Sequence, residues 1–464
     1  MLFSSMSFIF LFLPAVCLLC FVSKKEWHNF ILLAASILFY AWGEARYLFV
    51  MLMIIFINYF GALFLEKYPK FKKITLVVSV VANLSFLFYF KYFNFVLENL
   101  NNLLSSDIKF IEVIMPIGIS FYTFQAMSYL IDVYRGECSA QKNLYKLALF
   151  ICLFPQLVAG PIIKYHDVAE QIDSREVNFD KVQYGVKRFI IGLSKKMLIA
   201  NTLGAVADKI FSQPADTFSP AIAWLGACAY TFQLYFDFSG YSDMAIGLGF
   251  IFGFKFMENF NYPYISKSIT EFWRRWHISL STWFKQYLYI PLGGNRISPG
   301  RTYVNLFVVF LLTGLWHGAS WSFVVWGLWN GVFIIFEKMS GWSRDTENIF
   351  VGVIKHIYTI FVFVLGWVIF RSEDLSYAVV YIKNMFCLER IHDISYALPY
   401  YIDRFEIIIF AAALICSIPV FRGILEVKNK FLRCFVNLWL IVLFVLSAAS
   451  VASSTYNPFI YFRF

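Results

Sequence analysis

Charge is what this 464-residue chain has least of: Asp, Glu, Lys and Arg make up 15% of it, while 60% is hydrophobic. Soluble domains carry roughly 25% charged residues, so a soluble globular fold is excluded. Apolar runs long enough to cross about 30 Å of hydrocarbon recur along nearly the whole length. They are continuous, not short and alternating, which excludes a β-barrel. The chain also lacks GxxxxGK[ST], HExxH and the EF-hand pattern, the sequence signals for nucleotide hydrolysis, zinc proteolysis and calcium binding. Its 8 cysteines are scattered, mostly in apolar runs. Cys17 and Cys20 have C-x-x-C spacing but share one apolar stretch, where packing is the expected role. The N-terminal run has neither a basic n-region nor a small-residue cleavage site, so a retained first span is expected.

What remains is an all-α polytopic membrane protein, expected as one membrane-embedded domain over residues 1–464, with no soluble module and no internal repeat. The formal charge of +10 sits mostly in short loops between spans. That is the pattern of cytoplasmic loops and not of a nucleic-acid partner. Spans are expected near 6–22, 28–42, 46–65, 74–92, 111–133, 144–163, 184–204, 218–236, 238–254, 303–319, 321–337, 350–370, 405–421 and 433–450. Basic loops at Lys24-Lys25, Lys67–Lys73 and Arg422–Arg433 put the N-terminus and the tail outside. Segment 144–163 departs from this pattern: it has positive charge at both ends and Pro155, Gly160 and Pro161 inside. It is expected to be re-entrant, since broken backbone at membrane depth needs protein or water around it. A polar cavity opening from the cytoplasm is the corollary.

Two of the 6 histidines stand out. The almost uncharged run from 304 to 336 would extend about 50 Å as one helix, too long for one bilayer, so a break is expected at Gly318-Ala319-Ser320. His317 then lies beside the break, walled by Trp316 and Trp321. An intramembrane ionisable residue is a functional candidate, although a histidine bonding between helices satisfies the same pattern. His277 lies in EFWRRWHISLSTWFKQYLYIPLGGNR (271–296), among Arg274, Arg275, Trp276 and Lys285. Trp273, Trp276, Leu280 and Phe284 are placed to face lipid or core, with the cations at headgroup level. Metal binding by two histidines without clustered acidic or thiolate partners is not expected. Asp237 and Asp243, in YFDFSGYSD, are candidates to pair with Arg274-Arg275 or to orient an imidazole.

Four stretches together resemble the membrane-bound O-acyltransferase (MBOAT) family, in particular its alginate and peptidoglycan O-acetyltransferase branch. They are YRGECSAQKNLYKLALFICLFPQLVAGPI (134–162), FQLYFDFSGYSDMAIGLG (232–249), the 271–296 stretch and TGLWHGASWSFVVWGLWNG (313–331). The resemblance extends to the terminal NPFIYFRF. It implies roughly 11 to 14 spanning or re-entrant helices around a central funnel, with His317 as the catalytic histidine and His277 as the second characteristic polar position. It implies acetyl-coenzyme A as donor, an acceptor hydroxyl on an extracytoplasmic glycan, and a separate periplasmic SGNH-type acetyltransferase or esterase-like partner. The YIPLGGNR continuation favours the acetyl branch over the related D-alanine exporters. The expected location is a bacterial cytoplasmic membrane.

On this reading His317 deprotonates the acceptor hydroxyl. His277 or a tryptophan N–H donates to the developing oxyanion. Arg274, Arg275, Trp276 and Lys285 meet the cofactor, the cations alternatively serving as headgroup anchors. Tyr461, or Tyr456, is a candidate acyl relay or gate in the tail. Heavy use of Phe, Ile, Lys, Asn and Tyr favours peptidoglycan as acceptor over alginate or another exopolysaccharide. A lipid or solute transporter is the competing class, since a broken helix with a histidine suits it too.

Overall fold

Every regular element that the computed structural model describes is helical; the description covers residues 1–111, 113–388, 396–453, 456–458 and 460. The principal helices are α1 (Lys25–Glu44), α2 (Leu48–Lys67), α3 (Lys72–Leu87), α4 (Ile119–Arg135), α5 (Leu144–Cys152), α6 (Phe179–Ser194), α7 (Asn201–Phe211) and α8 (Pro220–Ile251). They continue with α9 (Ile269–Arg275), α10 (Ile278–Phe284), α11 (Pro299–His317), α12 (Trp321–Ser340), α13 (Ile349–Arg371), α14 (Leu375–Met385) and α15 (Lys430–Ser453). Helical stretches long and apolar enough to cross a membrane are Lys25–Lys67, Pro69–Leu104, Phe179–Phe211, Ile349–Arg371 and Lys430–Ser453. The helix Arg404–Cys416 joins Pro419–Glu426 at a 62° bend, a broken span or a re-entrant loop.

One expectation is corrected here. The segments 218–236 and 238–254 are not two spans, because α8 runs unbroken from Pro220 to Ile251. Its centre, FSGYS, contains no proline, and one interior glycine costs only about 1 kcal/mol of helix propensity. Gly240 serves close packing instead: a Cβ there would lie 2.7 Å from the Gly192 carbonyl oxygen of α6.

Packing divides the chain into two compact units, Met1–Phe189 with Tyr241–Met257 and Ile190–Gly240 with Glu258–Phe464. In the first unit, α2 and α3 are joined by a buried amide pair. Asn58 Nδ2 donates to Asn83 Oδ1 at 2.8 Å and Asn83 Nδ2 returns the bond at 3.3 Å. Each amide also donates to a carbonyl of its own helix at 2.8 Å. Such pairs hold helices together where apolar burial gives no preference for protein over lipid. The expected break in 144–163 is present. Helix α5 stops at Leu153, which turns to ψ 113°, and residues 149–163 are buried throughout. Side chains take over the freed backbone groups: the Phe150 carbonyl accepts from Gln125 and Gln156, and the Phe154 N–H donates to Ser36 Oγ at 3.0 Å. The gap beside the break is too narrow to admit water and is walled by apolar residues with Gln156 as its polar member. It is not the polar cavity expected from the sequence.

In the second unit, α11 and α12 form a close antiparallel pair built on glycines. A Cβ on Gly327 would lie 2.9 Å from Gly314 Cα, so only hydrogen fits at this crossing. Helix α9 is fastened to α12 at both ends. Glu337 accepts from the Ile269 and Thr270 N–H groups and from the Thr270 hydroxyl, and Trp273 Nε1 donates to Asn330 Oδ1 at 3.0 Å.

Candidate functional site

His317 is the last residue of α11. Gly318 takes an extended conformation (φ −167°, ψ 158°) and α12 restarts at Trp321, so the chain breaks where the sequence placed it. The imidazole is 2% exposed. Three rings meet it edge-on: Trp316 at 5.0 Å, Trp326 at 4.9 Å and Phe370 at 5.4 Å. Trp316 was expected in that wall, whereas Trp326 and Phe370 were not. Trp321, the first residue of α12, is 54% exposed.

His277 is held differently. It joins α9 to α10 with a left-handed backbone (φ +44°), an unusual conformation for a residue with a side chain. Neighbouring backbone fixes it: the Ile278 N–H donates to the Asn259 carbonyl at 2.9 Å, and the Asn261 N–H donates to the Arg275 carbonyl at 2.9 Å. Its Nδ1 lies 3.3 Å from Asn259 Oδ1, which also accepts from the Ser279 N–H at 3.0 Å and the Ser279 hydroxyl at 2.9 Å. Phe238 packs edge-on against the ring at 4.7 Å. Trp316 contacts His277 at 6.0 Å as well as His317, so one indole touches both imidazoles across 40 positions of sequence.

The remaining candidates separate. Arg274 and Lys285 are exposed. Arg275 is committed within its own surroundings, bonding Glu271 at 2.9 Å and the Asn261 carbonyl at 3.1 Å. Trp276 is 2% exposed, packed against Phe260, Phe272 and Trp367. Trp273, Leu280 and Phe284 are also buried, so this face of the stretch is core. Both carboxylates of YFDFSGYSD are paired with cations of helices earlier in the chain. Asp237 pairs with Lys196 at 2.6 Å, and in the first unit Asp243 pairs with Arg188 at 2.6 Å. Among the described residues one group has metal-ligand spacing, Asp132, Glu137 and His166 in the first unit, where His166 Nδ1 lies 3.2 Å from Asp132.

The tail turns back into the second unit. Tyr456 donates its hydroxyl to Asp208 at 2.7 Å, and Asp208 also accepts from Arg371 at 2.7 Å. Lys196 donates to the Pro458 carbonyl and the Ile460 N–H donates to Asp237 at 2.9 Å. Tyr461 lies outside the described residues. Sequence reasoning missed Asn259, although a polar residue in the aromatic run ENFNYPY was available as a signal.

A polytopic helical protein with two buried imidazoles on one indole belongs to a class recognisable by sequence pattern. The pattern of the MBOAT, membrane-bound O-acyltransferase family matches residues 36–380, so the chain belongs to that family and is a multi-pass membrane acyltransferase. It is 47% identical over 385 residues to a probable alginate O-acetylase of Pseudomonas aeruginosa, covering 82% of this chain and 73% of that protein. It is 36% identical over 420 residues to a peptidoglycan O-acetyltransferase of Helicobacter pylori, covering 83% and 80%. A teichoic acid D-alanyltransferase of Bacillus subtilis is 30% identical over 287 residues, 57% of this chain.

Proposed function

We propose that the protein transfers acetyl from cytoplasmic acetyl-coenzyme A, across a bacterial cytoplasmic membrane, to a hydroxyl of an exported polysaccharide. The observation that carries this reading is the pair of buried imidazoles on Trp316, with His317 at a helix break. His317 takes the proton of the acceptor hydroxyl as that oxygen attacks the thioester carbonyl. The C–S bond then breaks, and the proton passes to the departing thiolate. A donor beside the carbonyl, His277 or the Trp316 N–H, stabilises the oxyanion. Exposed Arg274 and Lys285 are the cations available to the pyrophosphate. Arg275 and Trp276, being engaged in ion pairing and core packing, support the helix that carries them.

The acceptor reading favours an alginate-like exopolysaccharide first and peptidoglycan second. This order follows the 47% and 36% identities and reverses the one that residue usage suggested. A periplasmic SGNH-type or esterase-like partner would complete delivery to the glycan, with Tyr461 as relay. Purified protein given radiolabelled acetyl-coenzyme A tests the reaction. An acyltransferase releases free thiol and loses this on His317→Ala, whereas a transporter releases none. Polysaccharide analysis with and without the gene identifies the acceptor.

A further inference from the structure

We infer that Asn259 is a positioning residue that sets the tautomer of His277, making His277 a lone-pair acceptor at the site and not the oxyanion donor. This rests on the acyl-transfer reading above. A backbone N–H can only donate, and the Ser279 N–H lies 3.0 Å from one terminal atom of the Asn259 side chain. That atom is therefore the oxygen, and the amide cannot be reversed without setting its NH2 against a donor. The same oxygen lies 3.3 Å from His277 Nδ1. An amide oxygen offers no proton, so the imidazole supplies it, and neutral His277 carries its hydrogen on Nδ1.

The consequence falls on the other ring nitrogen. A neutral imidazole has one N–H, and Asn259 engages it, so Nε2 is the lone-pair nitrogen. A lone pair cannot donate to an oxyanion; it can accept a hydrogen bond from an alcohol or receive its proton. Rigidity supports the assignment. His277 and Asn259 are each 0% exposed, the His277 backbone is left-handed, and the Asn259 carbonyl accepts from the Ile278 N–H. The orienting group is thus tied to the imidazole by main chain on both sides. This is the arrangement by which a neighbouring acceptor selects tautomer and ring orientation at other histidine sites.

The test reads the tautomer directly. 15N-histidine-labelled protein, with His277 assigned by its loss in His277→Gln, should show the Nδ1–H form. Asn259→Asp keeps an oxygen facing Ser279 and His277, so it should keep this signature and stay within about tenfold of wild-type thiol release from acetyl-coenzyme A. Asn259→Ala should populate the Nε2–H form and lose on the order of 100-fold in kcat with little change in KM. Ser279→Ala, which removes a partner of Asn259 but not of His277, should leave the signature intact. An Nε2–H signature in the wild type overturns the inference even if no variant folds. Wild-type kcat in Asn259→Ala also overturns it. Failure of the acyl-transfer reading is distinguishable, because then His317→Ala would leave thiol release unchanged.

Discussion

The two imidazoles differ in what holds them, although one indole touches both. His277 is set by directed hydrogen bonds from Asn259 and the surrounding main chain, with Phe238 as its packing partner. His317 sits at a helix end with three aromatic rings around it. Hydrogen bonds specify which ring atom carries a proton; aromatic walls specify position and exclude water.

That contrast predicts a graded set of losses. The largest should come from His317→Ala, which removes the proposed base: thiol release should fall by roughly 10³-fold with the helical circular dichroism retained. Equal rates for His317→Ala and wild type would remove the distinction between the two sites. Next, on the His277 side, Lys196→Met strands Asp237, whose neighbour Phe238 packs on His277. Lys196 and Asp237 are 3% and 2% exposed at the side chain. Breaking such a pair costs about 3–5 kcal/mol, whereas Lys196→Met with Asp237→Leu should recover part of the loss of thermal stability in detergent.

On the His317 side, Gly327→Leu would force α11 from α12 at the Gly314 crossing. It should cost about 1–3 kcal/mol of stability, and activity should fall further than stability does, since it moves the base. Arg274→Gln should have the smallest effect. It raises the KM for acetyl-coenzyme A by about threefold with no change in melting temperature, as an exposed cation is worth under about 1 kcal/mol. Arg275→Gln should show the opposite pattern, a small stability loss through Glu271 with KM unchanged.

Both histidines were legible in the sequence because each is rare in its context, His317 in an uncharged run and His277 among tryptophans. The break after His317 was legible too, since 33 almost uncharged residues from 304 to 336 exceed one bilayer. The single long α8 was not, because a central glycine has the same appearance whether it breaks a helix or lets a neighbour approach. Partners were the least legible. Asp237 was open to pairing with arginines 37 and 38 positions away, at 274 and 275, yet Lys196 holds it. Charge type narrows a partner to a class of residue, and only packing selects among the members.

Composition and periodicity alone determined that the chain is a bundle of membrane helices, that its ionisable side chains within apolar runs are few, and that residues 277 and 317 are candidates among them. This follows because hydrocarbon leaves a chain few options for unsatisfied polar groups. Which side chains surround those residues, that one indole touches both, and that Asn259 bonds the first were decided by tertiary structure. Asn259–His277, His277–Trp316 and His317–Phe370 join positions 18, 39 and 53 apart, and local sequence pattern carries no information about contacts at such separations.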